Sequence, residues 1–312
     1  MNIAVLRPSK PAAAEADSPA VRQITGLLRG FSLEATRPKA DDVLALAQAA
    51  PEGTHVYLSA IPTRPSSELA DQAALVRGAG LEPVPHIAVR NFASFDELAS
   101  LLERLNRGAA VRRALIISGD RNDAAGPFNA SLDVIESGLL QQHGITSIGV
   151  AGHPDGHPLV SDDVMRRALV AKLEAAEQSG LRADIVTQFG FDANAMIRWV
   201  KRLRDLGIEA PVRLGLAGPT SLATLLRYAQ RCGVKASAGG LARNAGLMKQ
   251  LFGVSAPDGI LRALAHENAT GSLGDVAVHF FSFGGIGATA RWASHAAQGR
   301  ITLEGGGFSV QP

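Results

Sequence analysis

Short apolar runs recur along this chain of 312 residues, nearly all of them followed by a stretch with helical spacing, and that alternation limits what it can fold into. They read as strands at Phe31–Ala35, Val56–Ser59, Pro83–Val89, Ala114–Ser118, Ile145–Ala151, Ile185–Phe189, Val212–Leu216 and Val276–Phe281. Helices are expected at Ala40–Ala49, Ser67–Val76, Phe95–Leu105, Ala130–Gln142, Asp163–Ser179, Asn194–Leu206, Ser221–Arg231 and Gly287–Ala297, with a helical excursion at Asn244–Ala265. Ala114–Ser118, almost wholly apolar, reads as a strand covered on both faces. Strand-then-helix repetition of this kind builds α/β folds with parallel sheets. The number of units and the chain length favour a single closed (βα)₈ TIM barrel, with an open doubly wound sheet as the competing arrangement. Residues 1–30 read as an N-terminal arm and helix, with Val21, Ile24, Leu27 and Leu28 on one face, and 31–312 as the barrel.

Composition matters mainly for what it excludes. A net charge of +2, no dense Lys/Arg run and sparse aromatics argue against nucleic acid as a partner. Cys232 is the one cysteine, so a disulfide framework and a thiolate metal cluster are not expected. No apolar run approaches the roughly 20 residues of a membrane helix, and 1–10 does not read as a signal peptide. The expectation is a soluble, cytoplasmic protein; a homo-oligomer is compatible with it.

Polar residues gather where the strands stop. Gly149–Pro158 reads G-V-A-G-H-P-D-G-H-P, a loop that Pro154 and Pro158 keep from becoming helix. Val84-Pro85-His86, Ser118-Gly119-Asp120 and Thr187–Asp192 close other strands, and a (βα)₈ barrel carries its site at these carboxyl ends. His86, His153, His157 and Asp120 would be the metal ligands of such a site. They are scattered, however, and the first strand lacks paired histidines, so hydrogen bonding to an organic ligand is the expectation and no metal is assigned. Gly285-Ile-Gly287-Ala-Thr-Ala290 matches G-x-G-x-x-A, but the chain ends too soon for a second dinucleotide-binding half, and tight packing explains it better. Glu34 follows an apolar Phe31-Ser-Leu, a setting expected to raise its pKa toward general-acid duty.

Read together, these strand ends resemble the methylenetetrahydrofolate reductase family, from about Phe31 to the last strand. Ser32-Leu33-Glu34 is similar to the family's first-strand S-F-E, and Val84-Pro85-His86-Ile87 to its P-H-L element. Ile117-Ser118-Gly119-Asp120 resembles L-R-G-D, and Val150–Pro158 resembles V-A-x-Y-P-E-x-H-P. Val186–Asp192 is close to I-T-Q-F-F-F-D, and Tyr228-Ala229-x-x-Cys232-x-Val234 carries the family's aromatic. Ser118 stands for an arginine, His153 for a tyrosine, and Leu173-Glu174-Ala175-Ala176 for L-K-x-K. Lys172, Arg166 and Arg167 remain to meet a diphosphate.

The resemblance implies an FAD-dependent barrel of one-carbon metabolism and methionine biosynthesis, reducing 5,10-methylenetetrahydrofolate with NADH or NADPH by ping-pong hydride transfer. It implies Glu34 as the acid and Asp120 as the stabiliser of the substrate cation. Ser59, His86, Ser118, Gly119, Asp120, His153, His157 and Lys172 would bind FAD, and Gln188 and Tyr228 the folate or nicotinamide. A flavin-free pterin or corrinoid methyltransferase barrel and a non-catalytic folate-binding barrel are the alternatives.

Overall fold

The computed structural model describes residues 18–61, 64–231 and 254–311. Helix α1 (Pro19–Leu28) precedes the sheet, its first turn capped by Ser18, whose Oγ accepts from Val21 N at 3.3 Å. Then come β1 (Ser32–Ala35), α2 (Ala40–Ala49), β2 (His55–Leu58), α3 (Ser66–Gly78), β3 (Glu82–Ala88) and α4 (Phe95–Ala109). They are followed by β4 (Arg113–Ile117), α5 (Ser131–Glu136), α6 (Leu139–Gln142), β5 (Ser147–Gly152), α7 (Asp162–Gln178), β6 (Arg182–Phe189) and α8 (Ala193–Asp205). The chain closes with β7 (Val212–Ala217), α9 (Leu222–Arg231), α10 (Asp258–Asn268), β8 (Val276–Phe281) and α11 (Ile286–Ala297). A hairpin, β9 (Ile301–Glu304) and β10 (Gly307–Val310), follows.

Strands β1–β8 form a closed parallel barrel in which β1 pairs with both β2 and β8, so the (βα)₈ expectation stands and the open sheet does not. Alternation then sorts the side chains. Leu33, Val56, Ile87, Ile116, Val150, Leu214 and Phe280 belong to the large cluster between strands and helices. Tyr57, Val84, Leu115 and Val186 form a separate cluster, with Ile117 against it, that fills the barrel's middle. Helix α1 packs against α10, α11 and β8.

At the amino ends of the strands, Asp184 sits between Arg113 (2.5 Å) and Arg213 (2.7 Å) beside a cavity of about 280 Å³. His55 is there as well, pushed down to about 4 by burial and then by Arg213 and Arg113.

Three expectations need correction. The helix expected over Ala130–Gln142 is two helices, broken where Gly138 takes a left-handed conformation (φ 75°). Of the excursion at Asn244–Ala265, the first ten residues lie outside the described ones; in the rest, Val254 and Ser255 pair with Ser221 and Thr220 and helix begins at Asp258. The closing hairpin was not anticipated, although Gly305–Gly307 after an alternating run is a turn signal. Its Phe308 stacks on Trp292 (5.7 Å between centroids). The proposed arm is described only from Ser18 onward. No helix among the described residues is long and apolar enough to cross a membrane.

Candidate active site

Glu34 stands at the carboxyl end of β1 and points into the mouth, its side chain 17% exposed. Three elements converge on it. Ser59, just past β2, donates its hydroxyl to Oε1 at 2.9 Å. His86 of β3 brings Nε2 to 3.7 Å from Oε2, and His279 of β8 brings Nε2 to 3.5 Å from the same oxygen. Burial pushes this carboxyl up, as the apolar setting suggested, but His86, His279 and Ser59 together outweigh it. The net shift is downward, which corrects the expectation that the site raises the pKa of Glu34. Burial also holds His86 below the ordinary histidine range, against the pull of Glu34.

The residues expected to bind one cofactor therefore fall into separate groups. Ser59 and His86 serve Glu34, with Thr36 Oγ1 also 3.1 Å from Ser59 Oγ. Ser118, Gly119 and Asp120 form the turn after β4. There Gly119 has φ 91°, and a Cβ on it would lie 3.0 Å from Ala88 Cβ, so this turn needs glycine. Asp120 is exposed, with no side-chain hydrogen bond or ion pair among the described residues.

A third group lies over β5 and α7. His153 and His157 meet edge to face with ring centroids 5.5 Å apart, and Leu159 N donates to His157 Nδ1 at 3.2 Å. Burial, with His157 and Lys172 nearby, pushes His153 down to about 4, and its Nδ1 is buried without a partner among the described residues. Lys172 is likewise depressed by burial and has no ion-pair partner among the described residues. Two basic side chains so placed could hold an anion. Arg166 and Arg167 do not join them. Both are exposed and paired with Asp163, at 2.6 and 2.5 Å.

Gln188 owes its place to an irregular strand. The register of β6 against β7 shifts between Val186 and Phe189. Thr187 Oγ1 accepts from Gly215 N at 2.8 Å, and Gln188 Oε1 accepts from Phe189 N at 3.0 Å. The amide oxygen is thus occupied locally, leaving the NH₂ as the group Gln188 can offer a ligand. Beyond it an aromatic wall closes the mouth. Phe189 meets Phe191, Phe281 and Phe283, and Tyr228 stacks on Phe283 at 4.1 Å and 13°. One face of Tyr228 is therefore covered by Phe283, while Cys232 and Val234 of its motif lie outside the described residues.

The motif-based reading missed two groups. His279 had no motif, although a histidine in the apolar last strand was a signal. Asp155, inside the quoted loop, is pushed up to about 6 by burial and then by Asp192. Among the described residues no group of three or more His, Cys, Asp or Glu is arranged to hold a metal ion. The G-x-G-x-x-A segment is a packing device, as expected: a Cβ on Gly287 would lie 3.1 Å from Ala45 Cβ of α2.

The family model of methylenetetrahydrofolate reductase matches residues 40–266. Among curated proteins, methylenetetrahydrofolate reductase 1 of Schizosaccharomyces pombe is 34% identical over 126 residues, which is 40% of this chain and 20% of that protein. Methylenetetrahydrofolate reductase 2 of Saccharomyces cerevisiae is 29% identical over 105 residues, 34% of this chain and 17% of that one. The matched part thus spans a fifth or less of either relative's length. An uncharacterized protein from Clostridium thermocellum, described as binding two copies of 5-methyl-5,6,7,8-tetrahydrofolic acid, superimposes with a TM-score of 0.57. It is 11% identical, over 86% of this chain and 93% of that one, a likeness of fold.

Proposed function

The chain belongs to the methylenetetrahydrofolate reductase family, and on that premise we propose that it reduces 5,10-methylenetetrahydrofolate to 5-methyltetrahydrofolate with FAD and a reduced nicotinamide. The observation that carries this reading is the buried carboxyl of Glu34 at the barrel mouth, held by Ser59 and flanked by His86 and His279. A flavin diphosphate fits the third group described above: Lys172 without an ion-pair partner, the orphaned Nδ1 of His153, and His157 beside it. When bound, FAD would supply a hydride acceptor for the nicotinamide and a hydride donor for the folate.

The chain's own residues do the rest. Glu34, protonated, gives its proton to a nitrogen of the folate's imidazolidine ring. The C–N bond opens onto that nitrogen, leaving a cationic iminium carbon to take the hydride. A bound folate removes water from the mouth and so strengthens burial, the influence that favours the protonated acid. Asp120 would face the cation, and a fixed charge of that kind is typically a large contribution to transition-state stability. Gln188 would donate its amide N–H groups to an acceptor on the substrate. The wall of Phe189, Phe281 and Phe283 offers apolar area to its rings.

Glu34→Gln separates the two halves of such a reaction. Oxidising a nicotinamide needs no acid at Glu34, whereas opening the folate ring does. Stopped-flow absorbance should show flavin reduction by NADH or NADPH near the wild-type rate. Folate-dependent reoxidation should slow by about 10²–10⁴-fold, the usual worth of a general acid. A protein that takes up no FAD, or a variant in which both halves or neither slow, would refute the reading. It would point instead to a flavin-free methyltransferase or a folate-binding barrel.

A further inference from the structure

Of the two histidines that touch Glu34, His279 is the one with a hydrogen-bond partner among the described residues, Ser32; the Nε2 of neither ring makes a hydrogen bond. It is fully buried, and its two ring nitrogens face two residues of β1. Nδ1 lies 2.9 Å from Ser32 Oγ, and Nε2 lies 3.5 Å from Glu34 Oε2. Positions i and i+2 of a strand share a face, and the register pairs Ser32 directly with His279, so both contacts follow from the sheet. Tyr57 and Phe281 meet the ring edge to face, at 4.6 and 5.0 Å, and hold its orientation. His86 has no hydrogen bond to fix its ring among the described residues.

A neutral imidazole carries one N–H, and its other contact decides where. With the N–H on Nδ1, the Nε2 lone pair would face a carboxylate in a buried place, which is repulsive. With the Ser32 hydroxyl donating to Nδ1, the N–H falls on Nε2 and faces Glu34.

We propose that His279, held in its Nε2–H tautomer by Ser32, is a positioning residue that orients Glu34 and sets the pH at which its carboxyl holds a proton. This rests on the reading of Glu34 as the acid. Once Glu34 gives up its proton, the Nε2–H is the donor that meets the buried carboxylate. The groups facing Glu34 are His86 from β3, His279 from β8 and the Ser59 hydroxyl after β2. Tyr57 of β2 lies against both imidazoles, and Arg113, Asp184 and Arg213 lie within electrostatic reach of it. Because His279 acts to lower the pKa of Glu34, its removal leaves burial less opposed.

The test uses the full-length protein with ¹³C-labelled glutamate, following the Glu34 carboxyl band by infrared difference titration and assigning it by its loss in Glu34→Gln. His279→Leu should move the protonation midpoint to higher pH. Ser32→Ala should move it the same way by less, while Ser32→Thr, which keeps a hydroxyl, should stay with wild type. Circular dichroism checks that each variant folds; if His279→Leu does not, the Ser32 pair decides alone. An unmoved midpoint in folded His279→Leu, or equal behaviour of Ser32→Ala and Ser32→Thr, overturns the proposal. This readout needs no turnover. If Glu34→Gln leaves folate reoxidation untouched, the functional reading fails, whereas an unmoved midpoint removes His279 from its role whatever the reaction.

Discussion

A half-buried lysine without a carboxylate partner favours an anion nearby, and Lys172 beside His153 is such a residue. The sign of its pH dependence follows from the shifts. Both bases are depressed in the free protein, His153 to about 4, so near neutral pH the imidazole is uncharged. An anion favours the charged forms and raises both values, so binding takes up protons and strengthens as pH falls toward the free-protein value of His153, about 4. Calorimetry of FAD binding in two buffers of different ionisation enthalpy should detect that uptake. Lys172→Ala should weaken FAD by about 10- to 100-fold, the worth of ~1.5–3 kcal/mol for a hydrogen bond to a charged group. Equal affinity in both proteins would remove Lys172 from the site. Glu34 was legible at this scale because its motif names it. The direction of its pKa was not, because His279 lies on the last strand of the barrel and meets it only through strand pairing.

Among the elements, β6 is set apart by a slip in its pairing with β7. The shift falls between Val186 and Phe189, and Gly215 on β7 leaves room for the backbone of Thr187 and Gln188 there. A Cβ on Gly215 would lie 2.5 Å from Thr187 O and 2.8 Å from Gln188 O, both backbone atoms that move only with the strand. Gly215→Ala should therefore cost about 1–3 kcal/mol, the usual range for overpacking, and weaken folate binding more than FAD binding. Urea melts and separate titrations of the two ligands test this. A variant with wild-type folate affinity would mean that the slipped register does not position Gln188. Strand and helix existence was legible in the apolar runs, but this register shift was not. A slip is set by what the neighbouring strand leaves room for. Here the room comes from Gly215, which is 28 positions beyond Thr187 in the chain and reaches it only across the sheet.

For the whole molecule, the barrel has two ends with different tasks. Arg113, Asp184 and Arg213 tie three strands together toward the amino end, on the side away from the mouth. Asp184 is 3% exposed, so removing it strands two guanidiniums with little water to replace it. Asp184→Leu should destabilise by roughly 3–5 kcal/mol, the scale for breaking a buried pair from one side. Folded protein should keep the infrared midpoint of Glu34 close to wild type, since among the described residues Tyr57 stands between Asp184 and the Glu34 histidines. A melt within about 1 kcal/mol of wild type, on the order of a surface substitution, would show that the cluster is not a structural tie. Taken alone, the sequence determined the alternation of strand and helix, the carboxyl-end motifs and the family they resemble. These rest on local periodicity and on residue types a few positions apart. Closure of the sheet, the meeting of Glu34 with His86 and His279, the pairing of Arg166 and Arg167 away from the site, and the stacking of Tyr228 on Phe283 were decided only by the tertiary structure. Each depends on burial or on how elements are set against one another in space, and neither quantity is carried by any short stretch of the chain.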